Sequence, residues 1–205
     1  MDALDTDRVM SKSRALEDAT ARLEALPRRV FLDSSTVQTL FRYGEAVFER
    51  QAPPLGDRAY AIPGFVDDLR ALEMIFAVNE RAGFEFPLSP NSLNEVAAKG
   101  DPLYTRWGLD LHEHWLVSVE EYRGAAFDGN GEAPADRLDD PSFGYLSTKD
   151  RLLLRDALLL ECDAFLTMEH RLARNASHIA RQVGLFVLRP PEYWRLIAPW
   201  GALYR

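Results

Sequence analysis

Apolar residues recur along this chain in two rhythms, and their alternation outlines short strands set between helices. Leu16, Ala19, Leu23 and Leu26 repeat at three- and four-residue steps, predicting a helix over 8–26 that Pro27 ends. Arg29-Val30-Phe31-Leu32-Asp33 is a short apolar run closed by an acid and reads as a buried strand. Ser34, Ser35 and Thr36 suit a helix start, and the helical period then runs from about Val37 to Arg50. Pro53, Pro54, Gly56, Pro63 and Gly64 make 51–64 a loop. Leu69, Leu72, Ile75 and Phe76 mark a helix over 65–81, with Gly83 as its C-terminal cap.

Further on, Phe84-Glu85-Phe86-Pro87-Leu88 alternates like a short strand. A helix from Ser89–Ser92 carries Glu95 and ends near Gly100. Trp107, Leu111, Trp115 and Val119 keep helical spacing over 101–123, and Gly, Pro and Asp make 124–144 a loop. From 147 the alternation is regular. A helix over 147–161 precedes a strand over 162–167, a helix over 169–182, a strand over 185–188, and a final helix opened by Pro190-Pro191. Strands separated by helices predict an α/β fold around a mostly parallel sheet.

The carboxyl ends of parallel strands are where such sheets bind ligands. Asp33 ends the first predicted strand, Glu95 lies one turn into the helix after the second, and Glu169 follows the strand ending at Thr167. Asp150 stands in the first turn of an apolar helix. Convergence of these four carboxylates would raise their pKa values, and a divalent cation would relieve the repulsion. Oxygen donors favour Mg²⁺ or Mn²⁺ over zinc, and such an ion suits phosphodiester hydrolysis. Asp33, Asp150 and Glu169 also have a plain structural use near a helix N-terminus, through capping or the helix dipole, and Glu95 has one as a solvated helix-face residue. Asp156, six residues past Asp150, points to another side of the same helix, and Asp163 begins a strand rather than ending one.

Composition narrows the field. The chain has 205 residues, 47% apolar and 27% charged, as in ordinary folded proteins. A single cysteine, Cys162, excludes a disulfide framework or a CxxC zinc site. His112 and His114 are two apart on a predicted helix and cannot share an ion from one face. No apolar run is long enough for a membrane span, and the opening MDALDTDRVMSKSR lacks a signal-type apolar segment, so a cytoplasmic setting is expected. The formal charge is 24 − 32 = −8, but it is uneven. Residues 1–140 carry 15 − 26 = −11 and residues 141–205 carry 9 − 6 = +3. Arg151, Arg155, Arg171 and Arg174 flank the acids in sequence and are candidate contacts to a polyanion. Trp107, Trp115, Trp194 and Trp200 suit either the core or base stacking.

The blocks Val30-Phe31-Leu32-Asp33-Ser34-Ser35, Ser92-Leu93-Asn94-Glu95, Asp150 with Ala157, and Cys162 through Glu169 together resemble the PIN domain family. The segment Gly184 to Trp194 resembles that family's last strand and following helix. The resemblance covers roughly 29–50 and 66–195. It implies a three-layer α/β/α sandwich, placed here as a domain over 28–205; the N-terminal helical extension over 1–27 and a helical or loop insertion at about 101–145 exceed that family's compact toxins. It also implies a Mg²⁺- or Mn²⁺-dependent endoribonuclease acting on single-stranded RNA. Carried over by position, Asp33, Glu95, Asp150 and Glu169 would be the catalytic metal ligands, with Thr167 supporting them and Ser34, Arg151 and Arg171 meeting substrate. A shifted register would bring in Asp156 instead of Asp150. Glu169 falls where the family usually carries Asp, one methylene shorter. Many members are toxins held by an antitoxin, so a protein partner or a homodimer is a further expectation. A binding module of the same fold with weak or no catalysis is the second reading.

Overall fold

The computed structural model describes residues 17–123 and 132–204. A helix over residues 17–24 (α1) leads to β1 (Val30–Leu32). Helices α2 (Ser34–Arg42), α3 (Gly44–Phe48), α4 (Phe65–Ala82), α5 (Pro90–Ala97), α6 (Pro102–Arg123), α7 (Glu132–Asp136) and α8 (Thr148–Leu159) follow. Next come β2 (Ala164–Leu166), α9 (His170–Ala173), α10 (Ala176–Val183), β3 (Phe186–Leu188) and α11 (Pro190–Ile197). The protein is mixed α/β and mostly helical, with a small parallel sheet in the order β1-β2-β3. Phe31 pairs with Phe165, and Phe165 with Val187.

Side chains alternate across a strand, so each three-residue strand serves two cores. Val30, Leu32, Ala164 and Leu166 join Leu72 and Ile75 of α4, Val37 and Leu40 of α2, and Tyr193 and Ile197 of α11. Phe31, Phe165 and Val187 join Leu154 and Ala157 of α8, Ile179 of α10, and Leu138 and Phe143. The Phe31 and Phe165 rings stack at 5.4 Å between centroids. Trp107, Trp194 and Trp200 are partly buried against the first core and pack there.

On the far side of β1, Arg29 and Glu85 form a single parallel bridge. The chain therefore runs from β1 to Glu85 on one flank, and later to β2 on the other. That reversal makes the gap beyond the ends of β1 and β2 a topological switch point, where open α/β sheets form their ligand crevice.

The helix expected over 65–81 is α4, and Gly83 caps it at φ 64°, a left-handed conformation that glycine adopts without strain. Several expectations change. The strand foreseen over 84–88 shrinks to the Glu85 bridge. The helix expected over 37–50 starts earlier and breaks at Tyr43, whose hydroxyl donates to Asp57 Oδ1 at 2.9 Å. The helix expected over 169–182 breaks at Asn175, whose amide donates to Arg171 O while its own carbonyl caps the next turn. Within the loop expected over 124–144, residues 132–136 are helical and 137–139 and 141–143 form 3₁₀ turns. Residues 8–16 of the first expected helix lie outside the described residues, as do 124–131.

Candidate active site at the ends of β1 and β2

Asp33 leaves β1 and becomes the N-cap of α2, accepting from Thr36 N at 2.7 Å. It is buried, 5% exposed. The Ser35 hydroxyl donates to both carboxylate oxygens, at 2.8 and 2.9 Å. From the end of β2, the Thr167 hydroxyl donates to Oδ2 at 2.5 Å. Each hydroxyl is oriented by a backbone N–H of the β2 exit: Met168 N donates to Ser35 Oγ at 3.1 Å, and Glu169 N to Thr167 Oγ1 at 3.0 Å. The sheet end is stitched further by Asp33 N and Thr36 Oγ1, which both donate to Leu166 O.

Burial pushes the Asp33 carboxyl up to about 6, and the bonds from Thr167, Thr36 and Ser35 oppose that rise. Tyr104 of α6 is buried, and its phenol is pushed up to about 12, first by burial and then by the charges of Asp33 and Glu95. Both acids thus act on one phenol.

Glu95 is half-buried on α5, which Ser89 and Ser92 start with a capping box. A cleft of about 250 Å³ between α5 and α8 is lined by Asn91, Glu95, Lys149 and Leu152. Asp150 forms a capping box with Ser147, and its Oδ2 also takes a bond of 2.6 Å from Arg171 Nη2. Asp156 accepts from the Asn91 amide at 2.9 Å, one turn before Glu95 on α5. Glu169 is exposed as the N-cap residue of α9.

These placements revise the site drawn from sequence. Asp33 and Thr167 meet directly, and Glu95 shares their electrostatic neighbourhood through Tyr104. Asp150 and Arg171 are paired with each other through Asp150 Oδ2, with Arg171 half exposed. Arg155 is likewise bound to Asp139 at 2.6 Å. Arg151 has no ion-pair partner among the described residues, and Ser34 is half-buried as the first residue of α2. Among the described residues no group of three or more His, Cys, Asp or Glu side chains stands close enough to hold a metal ion. Among them, too, no helix is long and apolar enough to cross a membrane.

Sequence reasoning missed Ser35 as a partner of Asp33. The signal was present in Asp33-Ser34-Ser35-Thr36, because a serine two residues past an N-cap acid can fold back onto it. It also missed a charged cluster at the end of β3, in which only Asp68 is fully buried. Arg189 pairs with the buried Asp68 of α4 and donates to His170 Nδ1 at 3.1 Å. Burial pushes the Asp68 carboxyl up, against the pull of Arg189.

No family model, no curated protein and no solved structure matches this chain.

Proposed function

We propose that this protein is a PIN-like, metal-dependent endoribonuclease that hydrolyses single-stranded RNA, built as a three-layer α/β/α sandwich. The carrying observation is Asp33: a buried carboxylate at the switch point, held by two hydroxyls that β2 orients. A carboxylate kept in a dehydrated place with a raised pKa is characteristic of a working group rather than a simple cap. The two cores on opposite sheet faces support the layered reading.

The donor set suits Mg²⁺ or Mn²⁺. Magnesium commonly takes one or two carboxylates and completes its shell with waters and substrate phosphate. Asp33 and Glu95 would hold the ion, with Asp150 joining only after release from Arg171. When bound, such an ion activates water and neutralises charge on a phosphodiester. Thr167, Ser35 and the Thr36 N–H hold the Asp33 carboxylate in place, and a bound ion would take the position of at least one of those donors.

The second reading, a binding module without catalysis, is favoured by the Asp150–Arg171 pair and by the lack of a three-acid group among the described residues. One experiment separates the two. Wild type is expected to cleave single-stranded RNA only with Mg²⁺ or Mn²⁺, and Asp33→Asn to lose that activity. Equal cleavage by both proteins removes the nuclease proposal. RNA binding without cleavage selects the module.

A further inference from the structure

Beside Asp33 lies a cleft of about 300 Å³, near the lower limit of ligand-sized sites. Ser35, Met168 and Glu169 form its wall toward Asp33, and Arg42, Arg58 and Phe65 are among those lining the rest. Arg42 ends α2, while Arg58 sits in the 3₁₀ turn Arg58–Ala61. They are sixteen residues apart in sequence, and the turn between them is pinned by Asp57. Its Oδ1 accepts from Tyr43 O–H at 2.9 Å and from Ala59 N at 2.7 Å. Tyr43 itself is buried, edge-on to Phe65 at 5.2 Å. The loop is thus anchored so that both guanidinium groups border one space.

Both arginines are exposed, and neither has an ion-pair partner among the described residues. That contrasts with Arg155, Arg171 and Arg189, each tied to an acid. In a protein of net charge −8, two such cations on one small cleft are a local exception. Glu169 is the acid in the lining, and the Asp57 carboxylate beside the cleft also feels both arginine charges. Its apolar surface, from Phe65, Met168 and Ile62, offers a face for a base or sugar.

We infer that this cleft is a nucleotide subsite of the RNA track, in which Arg42 and Arg58 grip the backbone phosphate next to the linkage presented to Asp33, and Phe65 and Met168 cover its base. The inference rests on the nuclease reading for the identity of the strand, but it concerns binding and is tested apart from cleavage. Phosphate contacts of this kind fix register without reading sequence.

The test is fluorescence anisotropy of a labelled oligouridylate with the full chain in EDTA, across a salt series, for wild type, Arg42→Gln, Arg58→Gln and the double variant. Each lost phosphate contact lowers the slope of log affinity against log salt by about 0.7 on a single strand, so the double variant is expected to lose about 1.4. In cleavage assays the same variants are expected to raise KM and leave kcat unchanged, as for uniform binding. An unchanged slope in the double variant overturns the subsite even where wild type cleaves RNA. Arginine-dependent binding with no metal-dependent cleavage keeps the subsite and removes the nuclease reading instead. A parallel titration uses inorganic phosphate. Arginine-dependent uptake of phosphate with no RNA bound overturns the assignment to a nucleic-acid strand.

Discussion

Arg171 Nη2 lies 2.6 Å from Asp150 Oδ2, joining the first turn of α8 to α9 across the site's outer edge. The pair is half in solvent, with Arg171 at 54% and Asp150 at 16% side-chain exposure, and such pairs contribute at most about 1 kcal/mol. It holds a carboxylate that the resemblance assigns to the metal. Arg171→Gln is therefore expected to change unfolding free energy by less than about 1 kcal/mol and to tighten Mn²⁺ binding. Isothermal titration with Mn²⁺ checks this, and weaker binding in the variant contradicts it.

Asp33 gives a signed pH prediction. Its folded carboxyl stands at about 6, against an ordinary 3.8. Between those values the unfolded chain has already lost the proton that the folded chain keeps. Stability therefore falls as pH rises through the window, by about 3 kcal/mol in all. Asp33→Asn has no such group. Its stability relative to wild type is expected to climb by about that amount from pH 3.5 to pH 7, followed by urea unfolding. A difference independent of pH contradicts the raised value.

Thr167→Val keeps the shape and removes a donor that favours the charged form of Asp33. The carboxyl is then expected to titrate above its wild-type midpoint, and the protein to lose about 1–3 kcal/mol at pH 8. Carbon-detected NMR of labelled aspartate reads the midpoint directly. A downward move would mean that Thr167 does not stabilise the charged form.

A dication at Asp33 should relieve the buried charge. Mg²⁺ or Mn²⁺ is expected to raise the Tm of wild type at pH 8 and to leave Asp33→Asn unmoved. Ligand at a hundredfold excess over Kd corresponds to about 2.7 kcal/mol. Calorimetric scans with and without metal decide it, and equal shifts in both proteins place the ion elsewhere.

The Asp68–Arg189 pair is the buried one. Asp68 is 1% exposed, and its Oδ1 and the Arg189 Nε have no hydrogen-bond partner among the described residues. Removing one member strands the other, so Asp68→Leu is expected to cost about 3–5 kcal/mol. Asp68→Leu with Arg189→Met is expected to recover most of that loss. Chemical denaturation of the single and double variants measures the recovery, and additive losses would show that the two do not act as a pair.

Periodicity reveals what is repeated and hides what is decided by one contact. The bounds of α4 were legible because its apolar face runs unbroken to Gly83, whose left-handed φ few other residues accept. The breaks at Tyr43 and Asn175 were not, since the apolar spacing continues across both. A tertiary bond to Asp57 and a local bond to Arg171 O fix them. Asp33 and Thr167 were legible as ends of apolar runs that a sheet must align. The capture of Asp150 was not, because Arg171 is twenty-one residues away and reaches it only through the fold. Arg42 and Arg58 escaped notice because a cation in a proline-rich loop carries no periodic mark.

The bond from Thr167 to Asp33 closes a span of 134 residues. A chain still emerging from the ribosome thus displays the acid long before the hydroxyl that completes its setting.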